Sequence, residues 1–237
     1  MKLNCVIKNI PRSPDDGKIL DKLSRLSVAS LAESQGKRNV MDQGIRPVIS
    51  GTRVAGKAIT VQCFDADNLM IHAAVEFCKK GDILVVSTLS ETRNGYFGEL
   101  LARSYMGAGA VGLIIDGGVR DVKDLRKIGF PVWSRYVNVV GTSKKNPGSV
   151  NVPIVCGNVK ICAGDFVVAD DDGVVVIERN DVYETIKKAE ERDKREEETR
   201  KRIERGELGV DFYGLRKVIT SLGIEYLDNI EEIDGGK

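Results

Sequence analysis

At 237 residues the chain is long enough for one large domain with its own core. Hydrophobic residues make up 42%, and 36 Lys and Arg against 35 Asp and Glu leave a net charge of +1. That balance fits a soluble globular protein and removes any electrostatic case for nucleic acid as a main partner. No apolar run approaches the roughly 20 residues of a membrane span, and Met1 to Ile7 lack the longer apolar region of a secretory leader. A cytoplasmic protein without a membrane partner is expected.

Residues 1–17 carry Pro11, Pro14 and Gly17 and read as an irregular entry. From Lys18 to Leu31, Ile19, Leu20, Leu23 and Leu26 fall at helical spacing, which predicts one helix. Gly56 to Cys63 alternates as a strand does, and Asp67 to Cys78 is an amphipathic helix closed by Gly81. Asp82 to Ser87 is a continuous apolar strand, expected to be covered on both faces. A helix from Gly98 to Met106 follows, then a strand from Val111 to Ile115 that is expected to end in a glycine turn at Gly117 and Gly118. A short helix follows Asp121, and Phe130 to Trp133 is another short strand.

From Val152 the pattern changes to short strands separated by turns such as Ala163-Gly164 and Asp170-Asp-Asp-Gly173, which predicts antiparallel pairing. Helix-linked strands followed by turn-linked strands predict an α/β fold with a mixed sheet layer. No linker and no internal repeat divide residues 1–237, so a single domain is expected, with 181–222 as a C-terminal helical arm. Asp181 to Glu207 reads as one long helix with acid-first pairs such as Glu197–Lys201 and no large apolar residue between Ala189 and Ile203. It is either a solvated arm or an arm laid on a neighbouring subunit. Phe212 to Leu222 regains helical apolar spacing, and Asp228 to Lys237 is expected to fray.

The chemistry concentrates in two places, Gly98-Glu-Leu-Leu101 and Asp116-Gly-Gly-Val-Arg120-Asp121. Asp121 is either the N-cap of its own helix, with Asp124 as a loose capping-box partner, or a ligand to Mg²⁺ or Mn²⁺. These hard cations accept one or two carboxylates and keep several waters. Arg120 stands just past a buried strand, where α/β sheets bind ligands, and its fork matches a carboxylate. Gly98 opens a helix whose N–H groups at Glu99, Leu100 and Leu101 suit an anion. Glu99 is either a first-turn acid or an outer partner of the cation's water.

Other candidates are weaker. His72, the lone histidine, reads as a packing residue. The cysteines Cys5, Cys63, Cys78, Cys156 and Cys162 form no C-x-x-C pair and read as reduced and structural. Asp170 to Gly173 lacks the spaced ligands of a calcium loop. Gly107-Ala-Gly109 lacks the third glycine of a dinucleotide fingerprint. Ser87 and Ser104 have no visible His partner for a triad.

Gly98-Glu-Leu-Leu, Gly118-Val-Arg120-Asp121, Asn151-Val-Pro153, Gly164-Asp165 and Asp170-Asp-Asp-Gly-Val-Val-Val176 together resemble the RraA-like family, over about Gly56 to Gly206. That family includes class II 4-hydroxy-4-methyl-2-oxoglutarate/4-carboxy-4-hydroxy-2-oxoadipate aldolases and regulators of ribonuclease activity. The resemblance implies an α-β-β-α sandwich of the swivelling β/β/α type, assembled as a homotrimer or a pair of trimers. It implies Asp121 as the Mg²⁺ (or Mn²⁺) ligand, Arg120 against a small keto acid, and the amides of Gly98, Glu99, Leu100 and Leu101 on the pyruvyl carboxylate. Glu99 then stands where the aldolases have an acid. A glutamate of the late helix, Glu196 by register, with Glu197 and Glu198 beside it, reaches a neighbour's metal waters. The implied reaction is cleavage of a 4-hydroxy-2-keto acid to pyruvate, with oxaloacetate decarboxylation as a companion. Two other readings stand beside it, a non-catalytic regulator that binds a ribonuclease and a Schiff-base aldolase using a lysine such as Lys57.

Overall fold

The computed structural model describes residues 5–226, and the tail expected to fray, Asp228 to Lys237, lies outside them. By contact the chain forms two compact units, residues 1–192 and residues 193–237.

The first unit opens with α1 (Asp16–Leu23) and α2 (Val28–Ser34). One helix was expected here. The chain breaks instead because Ser27 is extended (ψ 146°) and its Oγ accepts from the Ser30 N–H at 2.9 Å, an N-cap that starts a second helix. Then come β1 (Arg46–Pro47), β2 (Val54–Cys63), and α3 (Leu69–Ala74) with one 3₁₀ turn after it. The central run is β3 (Asp82–Thr88), β4 (Gly95–Phe97), α4 (Glu99–Gly107), β5 (Gly112–Val119), α5 (Val122–Ile128) and β6 (Val132–Val137). The later strands are β7 (Ser149–Val150), β8 (Ile154–Cys156), β9 (Val159–Ile161), β10 (Phe166–Ala169) and β11 (Val174–Ile177). Helix α6 (Val182–Glu204) begins in the first unit, where Val182, Thr185, Ile186 and Ala189 are buried.

Strands β2, β3, β5 and β6 are parallel, and β10 joins β2 antiparallel, giving the order β1-β6-β5-β3-β2-β10-β11, with β4 on β5 and β7 on β2. Strands β8 and β9 form a separate antiparallel hairpin, as the turn signals predicted. Side chains alternate across a strand, and the core divides accordingly. Leu84, Val86, Leu113 and Ile115 pack with Leu101, Tyr105 and Leu125 of α4 and α5. Ile83, Val85 and Ile114 face Val167, Val176 and the β8–β9 hairpin. Phe166, Val168 and Val175 pack outward against α1, α2 and α6. The layers are therefore helix, sheet, sheet, helix: the curled sheet folds over itself, in agreement with the sandwich the sequence resemblance implied. Both faces of β2 are covered, so it is buried along nearly its whole length rather than alternating in exposure.

In the second unit, α6 continues past Arg192 and is followed by α7 (Gly209–Phe212) and α8 (Leu215–Ser221). Its charges pair within the helix, as Glu197 does with Arg200 and Lys201. Among the described residues no helix is long and apolar enough to cross a membrane.

The strand starts carry a buried ionic cluster. Lys57, 3% exposed, donates to Asp16 Oδ2 at 2.5 Å, and Arg179 holds Asp16 Oδ1 at 2.6 Å. Burial pushes the Asp16 carboxyl up, but Lys57, the Ser13 N–H and Arg179 outweigh it and hold it below the usual range. Replacing Lys57 by Met is expected to cost on the order of 3 kcal/mol, because a carboxylate is left with half its partners in a low dielectric. Urea unfolding measures this. An equal stability for both proteins would contradict the pair's role.

Candidate active site

The expected glycine turn after Ile115 is absent. Strand β5 runs on through Gly117 and Gly118 to Val119, and neither glycine has a positive φ. The smallness of Gly118 has another reason. Strand β4 lies alongside, and an ideal Cβ on Gly118 would sit 2.4 Å from the Asn94 carbonyl oxygen. The chain turns two residues later, at Asp121 itself (φ 58°, ψ 34°). Left-handed backbone is disfavoured for most L-residues and tolerated best by Asn and Asp.

This turn aims two neighbouring side chains at the start of α4. The Arg120 N–H donates to the Phe97 carbonyl at 2.9 Å, which fixes the strand end beside β4. Asp121 stands at the N-cap position of α5, yet its carboxylate makes no cap bond there. Instead Oδ2 accepts from the Glu99 N–H at 3.3 Å and lies 3.8 Å from Arg120 Nε. Gly98 makes room: an ideal Cβ on it would lie 2.2 Å from Asp121 Oδ2 and 3.2 Å from Arg120 Cγ. No side chain larger than hydrogen fits at 98 with the aspartate in place.

Each residue singled out from the sequence thus has a definite place. Arg120 and Asp121 are brought together with the first turn of α4, and their side chains are 49% and 41% exposed, open to a ligand. The N–H groups of Leu100 and Leu101 belong to that first turn, where a helix supplies no acceptor of its own. The Leu100 side chain is 79% exposed, while Leu101 is buried in the core. The Glu99 carboxylate is bound by Arg103 one turn on. Glu196 lies on α6 in the second unit.

The donor set suits a hard divalent cation. Asp121 offers one carboxylate, 41% exposed, and Mg²⁺ accepts a single carboxylate with waters completing its shell, while the Glu99 carboxylate is engaged by Arg103. Among the described residues no group of three or more His, Cys, Asp or Glu side chains gathers, so the closed cage of a structural zinc is not built here.

Other candidates fall away. His72 is exposed on α3, not a packing residue, because the inward face there is taken by Met70, Ile71 and Ala74. Lys57 is locked in its ion pair at the start of β3, where Asp82 is its register partner, at the opposite end of the sheet from Arg120. That burial removes it as a Schiff-base nucleophile. Cys63, Cys78 and Cys156 are buried, and burial pushes their thiols up, for Cys78 to about 12. Asp170 to Gly173 forms the β10–β11 turn.

Sequence reasoning missed a cavity of about 750 Å³ whose lining includes Asp42, Ser87, Asp116, Arg135, Tyr136 and Lys160, but not Arg120 or Asp121. Its charges are largely satisfied internally. Arg135 donates to Asp116 and, at 2.8 Å, to Asp42. The Asp116 carboxylate also accepts from the Gly157 N–H at 2.8 Å. The concave space and the Arg–Asp pair therefore do not coincide.

The RraA-like family model (Aldolase/RraA) matches residues 17–176. A protein of Halalkalibacterium halodurans named "Putative 4-hydroxy-4-methyl-2-oxoglutarate aldolase" is 30% identical over 175 residues, 74% of this chain and 83% of its own. An uncharacterised protein of Methanocaldococcus jannaschii is 30% identical over 194 residues, 81% of this chain and 91% of its own. Among solved structures, Streptomyces coelicolor RraAS2, described as an unusual member of the RNase ES inhibitor RraA protein family, superposes with a TM-score of 0.72 at 30% identity, over 80% of this chain and 99% of its own. An uncharacterised Pseudomonas syringae protein shares the fold, with a TM-score of 0.75 at 24% identity over 85% of this chain and 96% of its own. The chain belongs to the RraA-like family.

The contact at Gly98 makes a direct prediction. Gly98→Ala is expected to destabilise the protein by about 1–3 kcal/mol through overpacking, and the penalty should shrink in an Asp121→Ala background, where the crowding carboxylate is gone. Chemical denaturation of the four proteins measures the cycle. Strict additivity would contradict the contact.

Proposed function

We propose that this protein is a divalent-metal-dependent aldolase that cleaves a 4-hydroxy-2-keto acid to pyruvate. The observation that carries the reading is the left-handed Asp121, which turns its carboxylate to the α4 N-terminus beside the Arg120 guanidinium. The relatives named as 4-hydroxy-4-methyl-2-oxoglutarate aldolases support the substrate class.

Asp121 would hold Mg²⁺ or Mn²⁺, with Glu99 as an outer carboxylate. When bound, such an ion supplies Lewis-acid polarisation of the substrate's C2 carbonyl. The remaining work falls to the chain. Arg120 grips the keto acid and balances the negative charge that grows on the C2 oxygen. The first-turn N–H groups of α4 at Leu100 and Leu101 hold the pyruvyl carboxylate. A water at the site takes the C4 hydroxyl proton as the C3–C4 bond breaks, C4 leaves as the carbonyl carbon of the second product, the bond's electron pair becomes the pyruvate enolate, and that water returns a proton to C3 to give pyruvate. Oxaloacetate losing CO₂ gives the same enolate, so a companion decarboxylase activity belongs to the reading. The assembly that goes with it is a trimer or a pair of trimers, with Glu196 reaching a neighbouring subunit's site.

A regulator that binds a ribonuclease is the second reading, favoured by the likeness to the Streptomyces coelicolor protein. A pyruvate-release assay over a panel of 4-hydroxy-2-keto acids and oxaloacetate separates the two. The aldolase reading expects turnover with Mg²⁺, loss of activity with chelator, and at least a hundredfold loss in Asp121→Ala, roughly the scale of losing one charge-stabilising group. Arg120→Lys should chiefly raise KM, since a point charge replaces a fork. Tight ribonuclease binding with no turnover would favour the regulator.

A further inference from the structure

Arg120 is a long side chain at a half-exposed site, and something must narrow its choices before substrate arrives. The wall beside it comes from the connection between β6 and β7, residues 138–148. An ideal Cβ on Gly141 would lie 3.2 Å from Arg120 Nη1, so this backbone sits directly behind the guanidinium. The connection has no helix or strand of its own to stiffen it.

Two sets of bonds hold it. At one end the Gly95 N–H donates to the Val140 carbonyl at 2.7 Å and Asn94 Nδ2 to the Gly141 carbonyl at 2.8 Å. At the other end everything converges on Ala66, Asp67 and Asn68, just before α3. The Ser143 N–H donates to the Ala66 carbonyl at 2.8 Å, and the Asn68 N–H donates to the Ser143 carbonyl at 3.0 Å. Asp67 is 1% exposed. Its Oδ2 accepts from the Ser143 hydroxyl, the Lys145 N–H at 2.7 Å and the Asn146 N–H at 3.0 Å, while Oδ1 accepts from the Leu69 N–H at 2.9 Å. Asn68 reaches the opposite wall, donating from Nδ2 to the Tyr96 carbonyl in β4 at 2.8 Å. Two consecutive side chains thus tie the Gly141 wall and the β4 wall to the same point.

We propose that Asp67 is a positioning residue for Arg120: it fixes the 138–148 connection so that Gly141 backs the guanidinium and holds it ready for an anionic substrate. The inference rests on the reading of Arg120 as the keto-acid grip. A carboxylate suits the place because four donors meet at one oxygen, the Asn146 side-chain amide at 3.4 Å among them, and a fifth at the other, whereas an amide offers acceptor capacity at one oxygen alone. Burial pushes the Asp67 carboxyl up, yet the Lys145 N–H, the Ser143 hydroxyl and the Leu69 and Asn146 N–H groups together draw it down to about 2. It therefore stays ionised throughout the range in which the enzyme would be assayed. Restricting a rotamer-rich side chain in advance lowers the entropy lost when ligand binds.

The test compares Asp67→Asn, Gly141→Ala and the control Lys145→Ala in the full-length protein with Mg²⁺. Lys145→Ala keeps the backbone N–H that Asp67 binds. Two readouts are needed: steady-state cleavage of whichever 4-hydroxy-2-keto acid the wild type turns over, and the NMR line of the Arg120 Nε–H group. Asp67→Asn and Gly141→Ala are expected to raise KM about tenfold with kcat within about threefold, a positioning effect of the scale small misplacements produce, and to broaden the Arg120 line. Lys145→Ala should change neither. A melting-temperature drop in Asp67→Asn with KM and the Arg120 line unchanged would overturn the proposal and leave Asp67 a structural anchor. If Asp67→Asn does not fold, Ser143→Ala, which removes the hydroxyl donor on Asp67 Oδ2, decides by the same two readouts. Failure of the wild type to cleave any substrate or bind pyruvate would sink the aldolase reading, while the Arg120 line would still report whether Asp67 orders it.

Discussion

The site depends on one crowded contact, the Asp121 carboxylate against the bare α-carbon of Gly98. Asp121 reaches it because the backbone turns left-handed at that residue, a conformation kept where the surroundings over-determine it. Here the surroundings are specific. The Arg120 N–H is pinned to Phe97, the Glu99 N–H faces the carboxylate, and β4 presses on Gly118 from the side. Remove the glycine and the carboxylate must leave the helix N-terminus. Remove the aspartate and the Glu99 N–H loses its acceptor and Arg120 loses its neighbouring carboxylate.

The architecture serves that contact. Parallel strands β5 and β6 deliver Arg120 and the 138–148 connection to the same end of the sheet, while α4 begins there. The opposite end is closed by the Asp16–Lys57–Arg179 cluster. The chemical groups are thus carried at one edge of a four-layer sandwich whose other edge is tied by buried ion pairs. In the proposed reading only the first residues of α4 meet the substrate carboxylate, and the helix buries Leu101, Ala102 and Tyr105, which hold it in place.

Much of this was legible in the sequence, for identifiable reasons. Strand β3 reads as an unbroken apolar run because helices cover one face and the second sheet covers the other. The β10–β11 hairpin announces itself through Asp170 to Gly173. Gly98, Arg120 and Asp121 stood out in the sequence because each has a backbone or charge signature, and the structure brings the three together. Misreadings arose where one local signal had two structural meanings. Gly117 and Gly118 looked like a turn, but both lie within β5, and Gly118 is small because the Asn94 carbonyl crowds it. Ser27 interrupts an apolar helical spacing that runs through it. Asp67 entered only as the first residue of an expected helix, and its main partners lie 76 to 79 residues away in sequence. No local pattern can report such a contact.

In the proposed site Asp121 seats a divalent cation next to a keto acid held by Arg120. The most direct measurement is a crystal structure of the protein with Mn²⁺ and pyruvate, using the manganese anomalous signal to locate the ion. The account predicts an anomalous peak within bonding distance of the Asp121 carboxylate and pyruvate against Arg120 and the first turn of α4. Manganese bound elsewhere, with pyruvate absent from Arg120, would contradict it.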